Sequence, residues 1–345
     1  MADEGCGHQI GGHVPDGIGH TGQVLDWKRL LDGALEVPVV TSFSRVGYDV
    51  RSRLGGWNGI DSYNLAGRTV VVTGATSGLG RCMSETLARC GATVVLWGRS
   101  DAKARQVRDE LVRSTGRNDV DLVVADMAEP DAVRNGAELL LARHPRIDVL
   151  IHNAGALSAT RTTNSKGRES TVASQVIGPF LLTTLLLDAL RAATSGRVLT
   201  MSSGGMYASP LRVDDLEMGA DYRGAEQYAR AKRAQVTLNE MWAQQHAGEG
   251  IVFHAVHPGW ADTPGVQEAL PAFRRVMRPL LRTVEQGADT ALWLAADDGE
   301  PLASTGGFWH DRARRNIHKL PSTRRSDTPQ QRQALWDWCT AQITP

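Results

Sequence analysis

The chain has 345 residues, 41% of them hydrophobic and 22% charged, with Lys plus Arg and Asp plus Glu balanced at 38 each. That is the composition of a globular chain with material for a sizeable core, and the cancelled charge excludes a global field that would draw it to nucleic acid. The four cysteines, Cys6, Cys82, Cys90 and Cys339, form no C-x-x-C pair, and a reducing, cytoplasmic setting fits them.

Residues 1–24 are rich in Gly and His without periodicity and are read as a disordered tail. They begin acidic, unlike a signal peptide, and His8, His13 and His20 are spaced too irregularly to define a metal site, so no metal is expected. Residues 25–64 read as a helical N-terminal extension. Trp27, Leu30, Leu31, Ala34 and Leu35 recur at helical spacing up to Pro38; then Phe43, Val46, Gly47, Val50 and Leu54 share one face, with Arg45, Arg51 and Arg53 elsewhere. Two short helices packed on the body or on a partner subunit account for this pattern. A basic amphipathic helix in peripheral contact with a membrane is the second reading.

From residue 69 the pattern becomes alternating strands and helices. Thr69–Thr73 (TVVVT) is the β-branched run of a strand buried on both faces. Strands are expected at 93–97, 120–125, 149–151, 197–201, 251–257 and 306–309. Helices are expected at 80–90, 103–114, 130–143, 168–193, 227–245, 284–296 and 327–343. The apolar stretch 176–187 is broken by Gly178, Pro179, Thr183 and Thr184 and reads as a core helix, so no transmembrane segment is expected. The alternation predicts an α/β fold, a single Rossmann-type doubly wound parallel sheet with helices on both faces. It would occupy 65–322, with 323–345 a C-terminal helix packed on it. Ligands of such sheets bind at the carboxyl ends of the strands, where the winding reverses.

Three motifs fall at such ends. The first is Thr73-Gly74-Ala75-Thr76-Ser77-Gly78-Leu79-Gly80, after a strand and opening a helix, where glycines let the backbone approach a pyrophosphate on the helix N-terminus. The second is Arg99, which ends the next strand. No acid occupies Leu96, Trp97 or Gly98 to bond a ribose 2′-hydroxyl, so Arg99, helped by Arg81 and Lys103, points to the 2′-phosphate of NADP(H) rather than to NAD(H). The third is Tyr228-Ala229-Arg230-Ala231-Lys232, whose spacing puts phenol and ammonium on one helix face. A nearby ammonium favours the phenolate and fits the phenol for acid–base work. The preceding strand ends Met201-Ser202-Ser203-Gly204-Gly205, so a hydroxyl there could hold a substrate carbonyl.

Together with His152-Asn153-Ala154-Gly155 and His257-Pro258-Gly259, these motifs stand in the order and spacing of short-chain dehydrogenases/reductases, which the chain resembles from about Leu65 to Phe308. The set looks most like the dehydrogenase/reductase family member 12 branch. SSGGMY, HPGWADTPGV, EQGADTALWLA and FWHDR carry that likeness, and SFSRVGYDVRSRL resembles the branch's N-terminal extension. The resemblance implies that Ser203 polarises the carbonyl, Tyr228 protonates it, and Lys232 binds the ribose and tunes Tyr228. It implies that Gly74, Gly78 and Gly80 line the pyrophosphate, with Thr73, Ser77 and Leu79 in the same turn. Asp126, with Met127 beside it, would meet the adenine. Asn153, Ala154 and Gly155 would border the nicotinamide-side ribose, and Pro258, Gly259 and Thr263 the nicotinamide. One residue departs from the family: Gln175 stands where an Asn commonly organises a water chain behind the lysine.

The expected activity is hydride transfer between NADP(H) and a carbonyl or alcohol substrate. Tyr207, Leu211, Trp260, Pro264, Val266 and Phe273 suggest an apolar pocket, and His257 reads as a structural hydrogen-bonder. Two rivals remain: a catalytically weak NADP(H)-binding sensor, motivated by Gln175, and an extended-type epimerase, against which the spacing of TGATSGLG speaks. Pairing into a homo-oligomer through the long helices stays open, because the extension could block that face.

Overall fold

The computed structural model describes residues 27–344, so the tail at 1–24, with His8, His13 and His20, lies outside the described residues. Among the described residues eight strands form one sheet: β1 (Thr69–Thr73), β2 (Thr93–Gly98), β3 (Val120–Val124), β4 (Val149–His152), β5 (Gly196–Met201), β6 (Ile251–Val256), β7 (Gly307–His310) and β8 (Ala313–Arg314). The order is β3-β2-β1-β4-β5-β6-β7-β8. The first seven are parallel, and β8, which the sequence did not signal, pairs antiparallel with β7. The chain winds outward from β1 to β3 and then restarts on the other side at β4, which leaves the reversal between β1 and β4.

The apolar strands are explained by two cores. Val71, Val95 and Leu150 face a cluster built on the helices Pro130–Arg143, Ser170–Arg191 and Gly224–Gln245. Val70, Val72 and Val94 face another built on Gly78–Arg89, Asp101–Thr115 and Val284–Ala296. A strand covered on both sides has no polar face to alternate with. The helix Ser170–Arg191 is long and apolar enough to cross a membrane, yet 72% of its most apolar window is buried inside the fold. It contains a π-helical turn at Ala173–Ile177.

The C-terminal helix runs Pro329–Ile343, with the Thr328 hydroxyl accepting from the Gln331 amide at 3.2 Å. Leu335 and Cys339 are fully buried, and Trp336 packs on Phe180 and Trp242. A short helix before it, Pro321–Ser326, has no counterpart in the sequence reading.

The extension forms the helices Trp27–Glu36, Val39–Phe43 and Arg45–Gly55. Its expected inner face needs correction. Phe43 and Gly47 are buried, but Val46 is exposed, Val50 and Leu54 are half-buried, and Arg51 is 4% exposed. The guanidinium of Arg51 meets Asp32 at 2.7 Å, Glu36 at 3.0 Å and Asp311 at 2.8 Å. A buried charge is tolerated when it is paired and hydrogen-bonded, and here three carboxylates do that. The third belongs to the turn between β7 and β8, which ties the extension to the edge of the sheet.

Candidate active site

The carboxyl ends of β1 and β4 are stitched together by side chains. Thr73 Oγ1 accepts from the amides of Asn153 and Ala154, each at 3.0 Å. Asn153 Nδ2 donates to the carbonyls of Thr73 at 3.0 Å and Gly74 at 3.2 Å. Gly74 has φ +65, and a Cβ on it would come within 2.8 Å of the Ala154 backbone, so only glycine lets these strand ends close up. The helix Gly78–Arg89 then starts at Ser77 with no side-chain cap, leaving its first amides available to an anion. Thr263 stands over this turn: a Cβ on Gly78 would touch it at 3.5 Å. Leu79 packs beside Gly287, from the other side of the same turn.

Arg99, at the end of β2, is exposed and has no hydrogen bond or ion pair among the described residues; Lys103 is also exposed. Arg81 pairs with Glu110 at 2.9 Å and is engaged. Asp126 accepts the Ala128 amide at 2.9 Å, and Met127 is buried, its carbonyl against Gly178. An uncapped helix start, a glycine turn in contact with two strand ends, and a free cation with no acid beside it fit a phosphate-rich dinucleotide.

Across β5 lie the residues of the second half. Ser203 caps a short 3-10 turn, Gly204–Ala208, its hydroxyl accepting from the Gly205 amide at 3.3 Å. Tyr228 and Lys232 lie one turn apart on the helix Gly224–Gln245, with the ammonium 5.2 Å from the ring centroid. Lys232 Nζ donates to the carbonyl of Met201, at the end of β5, at 2.8 Å. Burial pushes the Tyr228 phenol up to about 12, and the Ser203 hydroxyl acts in the opposite direction. Burial pushes Lys232 down to about 7. In this arrangement desolvation, rather than one group charging the other, governs both residues.

Gly155 is backed by the amide of Gln175, whose Nε2 donates to the Ala156 carbonyl at 2.8 Å. Gly259 has φ +72, and a Cβ there would strike the Arg282 guanidinium at 2.3 Å, so the Pro258–Gly259 turn rests on that buried arginine.

Three sequence expectations are corrected. Tyr207 and Leu211 do not line an open pocket. Tyr207 is buried, bonded through its hydroxyl to the Asn316 carbonyl at 3.0 Å, and Leu211 lies in the core. Among the described residues His257 makes no hydrogen bond through either ring nitrogen; it packs on Phe43 and stacks on His310. Trp260, Val266 and Phe273 remain half-exposed and Pro264 exposed, and Trp260 meets Phe273 edge-on at 5.2 Å. Gln235, Arg282 and Asp311 were not singled out, and Phe43 was read only as part of the extension's apolar face, because buried polar side chains and long-range contacts carry no local signature.

A glycine turn at the winding reversal and a Tyr-x-x-x-Lys helix facing it define an oxidoreductase of the dinucleotide-binding α/β class. More narrowly, the chain belongs to the short-chain dehydrogenase/reductase family. The short chain dehydrogenase family matches residues 68–272. Dehydrogenase/reductase SDR family member 12 of Homo sapiens is 37% identical over 79% of this chain and 84% of its own length. Retinol dehydrogenase 12 of Bos taurus is 32% identical over 72% and 78%. Among solved structures, a protein of Escherichia coli CFT073 complexed with NADPH superposes with a TM-score of 0.61. It is 25% identical and covers 74% of this chain and 100% of its own.

Proposed function

We propose that this protein is an NADP(H)-dependent oxidoreductase interconverting a carbonyl compound and its alcohol, with an apolar small molecule as substrate. The observation that carries the reading is the placement of Ser203, Tyr228 and Lys232 around the carboxyl end of β5, on the same edge as the glycine turn. Relatives named as dehydrogenases/reductases, and solved structures holding NADP or NADPH, support it.

In this reading Gly74, Gly78 and Gly80 hold the pyrophosphate, with Thr73, Ser77 and Leu79 shaping the turn, and Arg99 meets the 2′-phosphate. Asp126 and Met127 face the adenine. Asn153, Ala154 and Gly155 border the nicotinamide-side ribose, and Pro258, Gly259 and Thr263 the nicotinamide ring. When bound, the dinucleotide supplies or accepts the hydride. Ser203 holds the carbonyl oxygen, and Tyr228 gives that oxygen its proton as negative charge develops. A charged Lys232, one turn away, then stabilises the nascent phenolate. A protein that binds NADPH yet turns over slowly is the second reading, favoured by the burial that drives Lys232 towards neutrality.

The test is binding of NADPH and NADH to the purified protein, and turnover on a panel of apolar ketones and aldehydes with Tyr228→Phe as control. NADPH-dependent reduction that falls about 100-fold or more in the control establishes the enzyme. Binding without turnover supports the second reading, and no binding of either nucleotide removes both.

A further inference from the structure

The extension precedes the region matched by the family, residues 68–272, and yet reaches the catalytic centre. We propose that Phe43 is a positioning residue: its ring, held by a buried arginine, sets the Ser203–Gly204 turn against the His257–Pro258–Gly259 turn. This rests on the role given to Ser203 above.

One ring is in contact with both turns. A Cβ on Gly204 would meet Phe43 Cε2 at 2.5 Å, so the ring lies directly behind the residue that follows Ser203. His257, whose Nε2 also comes within 3.2 Å of that Cβ, packs edge-on against the same ring with centroids 4.2 Å apart. Trp260 packs at 5.8 Å, and its amide donates to the Phe43 carbonyl at 2.8 Å. Phe43 is only 3% exposed. The ring therefore packs against both the residue after β5 and the residue after β6, behind the two turns that would hold the carbonyl and the nicotinamide.

Its own position is fixed by charge. Arg282, fully buried, donates to the carbonyls of Ser42 at 3.0 Å, Phe43 at 3.0 Å and Ser44 at 3.2 Å. The same guanidinium is paired with Asp311 at 2.6 Å and lies under Gly259. At Ser42 and Phe43 it takes up carbonyls that end the short helix Val39–Phe43, which have no further turn of that helix to bond. One cation thus ties the extension to the Pro258–Gly259 turn. A ring so placed would act on alignment rather than on chemistry, because a phenyl group has no proton to give or take.

The test is a double-mutant cycle in the full chain, with folding followed by NADPH affinity and circular dichroism. Phe43→Ala is expected to lower kcat by about 10- to 100-fold, the loss that follows a small misplacement of a reacting group. NADPH affinity should stay within about threefold, and in a Ser203→Ala background the same change should cost less than about threefold, because the two act as one unit. Equal losses in both backgrounds, or no loss in the first, would overturn the proposal. Should Phe43→Ala not fold, Gly204→Ala serves. Its new methyl presses on the ring, and Phe43→Leu should restore at least half of the turnover lost; absence of any rescue counts against the proposal. Should the wild-type protein bind NADPH but turn nothing over, hydrogen exchange decides. Exchange at residues 202–206 should rise in the folded variant, Phe43→Ala or Phe43→Leu, while β1 stays protected, and unchanged exchange at 202–206 refutes the role.

Discussion

The side-chain amide of Gln235 donates to the main-chain carbonyl of Gln175 at 2.6 Å, across two packed helices. Pro179 lies four residues after Gln175 and has no N–H, so that carbonyl lacks the usual α-helical donor. The π-helical turn at Ala173–Ile177 is the local consequence, and Gln235 replaces the missing donor. The side chain of Gln175 holds the Ala156 carbonyl, beside the proposed ribose-binding residues. A cavity of ≈ 20 Å³, room for one water, is lined by His152, Gln175 and Gln235, each of which keeps one buried polar atom without a partner.

Replacing Gln235 by Leu should orphan the Gln175 carbonyl and destabilise the protein by about 1–3 kcal/mol. Gln175→Ala instead removes the hold on Ala156 and should raise the KM for NADPH more than it lowers kcat. Denaturant unfolding checks the first, and initial rates at varied NADPH the second. A Gln175→Ala protein with unchanged KM would show that this bond does not shape the cofactor site.

Arg99 is expected to set the preference between the two dinucleotides. As the exposed cation at the end of β2, with no competing partner among the described residues, it is free to pair with a 2′-phosphate. Arg99→Ala should weaken NADPH binding roughly 10- to 100-fold, the range of a lost charge-assisted hydrogen bond, and leave NADH nearly untouched. Parallel titrations with both nucleotides read this directly, and an equal loss for both would place the phosphate elsewhere.

The sheet was legible because strands such as TVVVT are β-branched runs that alternate with helical patterns, and the glycine turn because spacing and position agree. Tyr228 and Lys232 were legible for the same reason, being four apart on a helix that follows a Ser-Ser-Gly-Gly turn. The inner face of the extension was misread because apolar periodicity assumes that arginines point outward. Arg51 points inward, since Asp311 arrives from 260 residues further along the chain to pair with it. Tyr207 was assigned to the pocket on its position after Ser203; its hydroxyl instead finds the Asn316 carbonyl, a partner that no local pattern announces.

Lys232 carries a pH dependence in both stability and rate. Its folded pKa, about 7, lies below its ordinary 10.5, so between those values the unfolded chain binds the extra proton and stability rises with pH. Lys232→Met should remove that slope and raise the melting temperature at pH 6 by roughly 2–5 °C, while abolishing turnover. Reduction by the wild-type protein should fall as pH rises through about 7, because a neutral lysine no longer supports the phenolate. Melting curves and kcat between pH 5.5 and 9 test both, and a slope that survives in Lys232→Met would assign it to another group.

Asp311 is the acid on which the extension's attachment depends. It has φ +54, an uncommon backbone for a non-glycine residue, and its two oxygens take Arg51 at 2.8 Å and Arg282 at 2.6 and 2.9 Å. Buried beside His310 and these two guanidinium groups, its carboxyl is held well below the usual carboxylate range. A carboxylate with a depressed folded pKa contributes its stability above the unfolded value, here 3.8, and loses it as pH falls below that value. The attachment should therefore be intact at neutral pH and weaken only in strong acid. Asp311→Asn keeps the shape but leaves two buried guanidinium groups short of one charge, at a cost of about 3–5 kcal/mol. Urea unfolding at pH 7 and pH 3 should show that cost at the first and a smaller one at the second. Equal costs at both would mean that the hydrogen bonds, rather than the charge, hold the extension in place.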